Sequence, residues 1–193
     1  MTKRFPVEVS VSAGACICGC MLILLVPIEL VFSFYLAAAV HEAGHLLILW
    51  LFHVPVFGIS FRIGGAVIET APVPLKEELI CTAAGPFGSF LCLLFLRHFP
   101  LLAVCALFQG TFNLLPVYPM DGGRILQCLC LLLCPNRAAA ICKITGLLTI
   151  TMICALCIFL FLHTAECLYL FIAFYFLLQT RGKIKISCKE QRY

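Results

Sequence analysis

Apolar runs long enough to cross a bilayer follow one another along almost the whole chain, separated by short polar breaks. They fall at about 10–27, 29–52, 78–97, 101–133 with an internal break, 141–162 and 165–180. With 63% apolar and 11% charged residues among 193, too little polar surface remains to cover a water-soluble globule. The pattern predicts an all-α membrane protein with six transmembrane helices. One domain is expected over 1–193, with a helical core at about 10–180, a basic tail at 181–193 and no additional soluble regulatory domain.

The basic residues orient these spans. With the N-terminus cytoplasmic, six spans return the C-terminus to the same side. The cytoplasmic segments then hold Lys3, Arg4, Arg62, Lys76, Arg137, Lys143, Arg181, Lys183, Lys185, Lys189 and Arg192, which is 11 of the 13 Lys and Arg residues. Lys3 and Arg4 also precede an apolar stretch followed by Ala37-Ala38-Ala39, as in a secretory signal. That apolar core is too long for a signal peptide, so no cleavage is expected. The fourteen cysteines lie mostly within apolar runs, as in CICGC at 16–20, CLC at 128–130 and CALC at 154–157, and read as small hydrophobes.

Inside the second run stands HEAGH, residues 41–45. On a helix His41 and His45 stack on one face and can grip one ion, while Glu42 projects about 100° round from His41 toward an open coordination position. Without such a role, the carboxylate alone would cost roughly 2.5 kcal/mol or more at membrane depth. A catalytic zinc takes three protein ligands and one exchangeable water. The single aspartate of the chain, Asp121, lies in NLLPVYPMDGG at 113–123. Pro116 and Pro119 remove backbone donors there, so the fourth span is expected to be unwound, which membrane depth tolerates only against protein or a water-filled cavity.

GISFRIGGAVIETA, residues 58–71, alternates Ile59, Phe61 and Ile63 with Ser60 and Arg62, and Gly64-Gly65 suits a tight turn. It predicts a small membrane-associated β-hairpin with an open edge to which an extended chain can add as a strand. His53 is expected at the interface, Glu29 at a span boundary, and the basic tail against anionic lipid. Arg124 is open between neutralising a carboxylate and meeting lipid phosphate.

HEAGH at 41–45 and NLLPVYPMDGG at 113–123 resemble the two hallmarks of the site-2 protease family of intramembrane zinc metalloproteases (peptidase family M50). IGGAVIE at 63–69, PLKEE at 74–78 and AAGPFG at 83–88 look like its stage IV sporulation subgroup, which processes a membrane-tethered sigma-factor precursor in endospore-forming bacteria. The resemblance implies His41, His45 and Asp121 as ligands of one Zn2+ and Glu42 as general base. It implies Asn113 as a group that positions substrate or polarises its carbonyl, alongside Gly64 and Gly65 of the hairpin. Ser89 stands near a position where the family often carries asparagine.

The implied protein is a multi-pass endopeptidase of a bacterial cell membrane, opened from the cytoplasmic side. Its partners are a membrane-associated protein substrate, membrane inhibitors or regulators and the bilayer, with no nucleic acid. A housekeeping site-2 protease cutting anti-sigma factors or signal-peptide remnants is the nearest alternative. A catalytically inactive membrane-binding relative and a zinc transporter are the readings from other classes.

Overall fold

The computed structural model describes residues 7–62, 65–164, 166, 169–170 and 172–174. Its elements, in chain order, are β1 (Glu8–Val11), α1 (Ala13–Leu25), α2 (Ile28–Leu51), β2 (Val56–Arg62), β3 (Gly65–Thr70), α3 (Leu75–Leu91), α4 (Pro100–Asn113), α5 (Asp121–Leu133) and α6 (Ala138–Thr164). A 3-10 turn over Cys92–Phe95 prolongs α3. Two compact units divide the chain, residues 1–113 and 114–193.

Among the described residues, three helical stretches are long and apolar enough to cross a membrane: Ile28–Leu51, Leu75–Phe95 and Ala138–Thr164. Ala13–Leu25 and Pro100–Asn113 are shorter apolar helices. The expected fourth span is divided: α4 stops at Asn113, turns and bends fill 114–120, and α5 starts at Asp121. Most of the expected sixth span and the basic tail lie outside the described residues.

In the first unit α2 buries Val31 and then every fourth residue from Ala37 through His41 and His45 to Leu49, so one stripe turns inward along the helix. Its outward residues include Trp50 at 72% exposure. Lipid, not water, suits such a face. The core consists of small side chains, Ala37, Cys92, Cys105 and Ala106, flanked by Val40 and Leu102. Small residues let apolar helices approach closely where lipid removes the hydrophobic drive between them. Gly44 shows the consequence, because a Cβ there would come within 2.5 Å of the Ala84 carbonyl oxygen on α3.

α2 ends in a left-handed cap. His53 has φ 56, the Val54 N–H bonds back to the Leu49 carbonyl at 2.9 Å and the His53 N–H to that of Trp50 at 3.1 Å. His53 is therefore the exposed terminator of the helix. Glu29 is exposed in the first turn of α2, where its charge complements the helix dipole.

The expected hairpin is present, with β2 and β3 antiparallel and Arg62 paired with Gly65. Gly65 has φ 118, a conformation that favours glycine. Gly64 lies outside the described residues. The sheet is larger than a hairpin, because β1 pairs in parallel with the other edge of β2, Glu8 opposite Gly58 through Val11 opposite Phe61. The first apolar run accordingly starts as a strand at its N-terminal end, and α1 begins only at Ala13, capped by the Ser12 hydroxyl accepting from the Ala15 N–H.

The second unit contains α5, α6 and the segment leading into them. The buried side chains of α5 include Asp121, Cys128 and Cys130, and those of α6 Ala138, Ile150 and Cys157. The segment holds a cis peptide bond between Tyr118 and Pro119. It folds back onto the first turn of α5: a Cβ on Gly122 would strike the Leu114 carbonyl, and one on Gly123 would lie 2.6 Å from the Tyr118 nitrogen. The adjacent glycines are thus the surface on which residues 114–118 rest.

Candidate active site

His41 and His45 are 2% and 7% exposed, on the inward stripe of α2. Each ring is held through Nδ1. His45 Nδ1 lies 2.8 Å from the Cys81 carbonyl oxygen, and since a carbonyl only accepts, Nδ1 carries the proton and donates. His41 Nδ1 lies 2.9 Å from the hydroxyl of Ser89, which is fully buried on α3. With that hydroxyl accepting, the His41 ring has the same tautomer. Both Nε2 atoms then present lone pairs, and they stand 3.3 Å apart.

Two imidazole lone pairs at that separation repel one another unless a cation sits between them. Zinc–nitrogen bonds of about 2.0–2.1 Å in a tetrahedral site put the two nitrogens about 3.3–3.4 Å apart, which matches the observed spacing. The donor set fits zinc. Asp121, the first residue of α5, is buried like the two histidines, and two imidazoles with one carboxylate are a donor set that suits zinc. Asn113, the last residue of α4, brings its Nδ2 to 3.4 Å from His41 Nε2.

α3 shapes this place as much as α2 does. A Cβ on Gly85 would run into Nε2 of His45 and come within 2.9 Å of Nε2 of His41. The space in front of both ligand atoms therefore exists only because residue 85 has no side chain. Pro86 follows within the helix, removing a backbone donor from the same turn. Cys81, Gly85 and Ser89 recur every fourth residue, so one face of α3 supplies a carbonyl, a gap and a hydroxyl to the two imidazoles. Sequence reasoning left Ser89 without a role and gave none to Cys81 or Gly85. The Gly-Pro dipeptide inside an apolar run was the available signal for this face.

Glu42 is half-buried and the next residue round the helix from His41. Arg124 is exposed on α5. Gly65 belongs to the sheet, at the start of β3.

Two buried histidines that present facing lone pairs on an apolar helix make a candidate metal site of the kind metalloproteases use. The family model for peptidase family M50 matches residues 79–154. A zinc metalloprotease of Methanocaldococcus jannaschii is 34% identical over 107 residues, covering 48% of this chain and 32% of that protein. The chain thus spans about a third of the length of the curated relative it matches. The solved site-2 protease from Methanocaldococcus jannaschii shares the fold, with a TM-score of 0.60 and 22% identity over 94% of this chain and 90% of the other. Together these findings support a likeness to the site-2 protease family, in a chain whose described residues include helices long and apolar enough to cross a membrane.

Proposed function

We propose that the protein is an intramembrane zinc endopeptidase that hydrolyses a peptide bond in a membrane-associated substrate. The observation that carries this reading is the pair of Nε2 atoms 3.3 Å apart, with Asp121 as the third donor. His41, His45 and Asp121 would hold one ion. Zinc bound there would polarise the scissile carbonyl and acidify a water molecule. Glu42 takes the proton of the attacking water and passes it to the nitrogen of the leaving amine. The Asn113 amide donates to the carbonyl oxygen on which charge develops. The Ser89 hydroxyl and the Cys81 carbonyl fix the tautomer that presents Nε2 and keep both rings turned the right way throughout.

Six spans with both termini cytoplasmic, in a bacterial membrane, belong to the same proposal, as does an active-site segment at 114–120 unwound at membrane depth. The substrate best matched by the sequence resemblance is a sporulation sigma-factor precursor. A helical substrate hides its peptide bonds in its own hydrogen bonds and must be opened before attack. The outer edge of β3, entered through Gly64 and Gly65, receives the opened strand. A photocrosslinker placed at Gly65 is expected to capture bound substrate; capture only from loops on the opposite membrane face rejects this role.

The function is tested with full-length protein reconstituted in vesicles with candidate precursors. A cleaved product is expected that disappears on treatment with 1,10-phenanthroline and returns with added zinc. Undiminished cleavage by protein shown to be metal-free overturns the proposal.

A further inference from the structure

Gln109 on α4 buries its Oε1, which has no hydrogen-bond partner among the described residues. An orphaned amide oxygen is expensive where neither water nor lipid can satisfy it, and helix packing alone does not require a carboxamide here. Its position suggests what completes it. Gln109 lies one turn before Asn113 on the same face of α4, and Asn113 reaches His41 at 3.4 Å. Gly110, the next residue along the helix from Gln109, rests against Ser89, since a Cβ there would lie 3.0 Å from the Ser89 Cβ. This stretch of α4 therefore lies against the helix that orients His41.

Four residues of helix rise about 6 Å, while two residues of an extended strand rise about 6.6 Å. Carboxamides at positions 109 and 113 thus repeat at nearly the spacing of peptide groups along one edge of a strand. An amide side chain also offers what a peptide group offers, one acceptor and a donor. We propose that Gln109 and Asn113 form a two-rung clamp for the backbone of an opened substrate. Asn113 engages the peptide group at the scissile bond, and Gln109 Oε1 accepts the N–H of a residue two positions away. The clamp rests on the endopeptidase reading and adds to it a means of holding the substrate extended whatever its side chains. Gln109 is a substrate-binding residue that leaves the ion and its ligands untouched.

The test uses the full-length protein loaded with zinc, and dissociation constants of hydroxamates in place of cleavage. Acetohydroxamic acid reports metal binding alone. Tripeptide hydroxamates extending from the zinc-binding group in either chain direction add a backbone edge, and N-methylation residue by residue removes one N–H at a time. In one series, methylation two residues from the site is expected to weaken binding to the wild type about tenfold, the loss of one hydrogen bond in a water-poor site. Gln109→Leu and Gln109→Met are expected to bind the unmethylated compound about tenfold more weakly and to be indifferent to that methyl group. Their affinity for acetohydroxamic acid and their zinc content are expected to be unchanged. Because each replaces an orphaned polar atom by an apolar group, their thermal stability is expected to equal or exceed that of the wild type. Equal methylation penalties in wild type and variants overturn the clamp while leaving the protease reading intact. Failure of acetohydroxamic acid to bind the zinc-loaded wild type overturns the protease reading and the clamp with it.

Discussion

Gly85→Ala is expected to abolish zinc binding and with it all cleavage. In an ordinary helix the same exchange stabilises by about 1 kcal/mol, because alanine gives up less backbone freedom than glycine. Here the added methyl group meets the His45 ring and lies 2.9 Å from His41 Nε2. Neither ring can retreat without breaking its Nδ1 hydrogen bond, and a retreat of α3 would open its close packing on Gly44 of α2. Metal content by mass spectrometry and competition against a chelator read the effect directly. Ser89→Ala serves as the graded comparison: it frees one ring without blocking the site, and the loss of such an orienting partner lowers zinc affinity about 10–100-fold. A Gly85→Ala protein that binds zinc as tightly as the wild type would show that the gap in α3 is not part of the site.

Glu42→Gln is expected to lower the cleavage rate by about 10²–10⁴-fold while zinc content stays at the wild-type level. The amide keeps the shape of the carboxylate but can neither take a proton from water nor return one to the departing amine. Coexpression with a candidate precursor gives the comparison in the membrane, at matched protein levels. Equal amounts of product from the two proteins would remove Glu42 from the mechanism.

The facing of the two histidines was legible because their spacing is local. A separation of four on one helix states where His41 and His45 stand, and an aspartate that occurs once needs no choosing. The prolines around it announced the break between α4 and α5 for a similarly local reason, since a missing N–H acts where it is missing. What escaped depends on partners far along the chain. β1 has only four residues, too few for an alternating pattern to register beside a long apolar run, and its partner strand lies some fifty residues away. Ser89, Cys81 and Gly85 acquire meaning only when α3 is laid on α2, and no periodicity within α3 says which carbonyl or hydroxyl will face an imidazole.

The two histidines differ in what supports them, and the difference affects how the protein tolerates change. A codon change can delete the hydroxyl behind His41. The acceptor behind His45 is a stretch of main chain, present whichever amino acid is encoded at position 81, so replacing that cysteine or oxidising its sulfur does not by itself withdraw it. Genetic drift therefore has a direct route to only one of the two rings, and the other is secured by the course of the polypeptide itself.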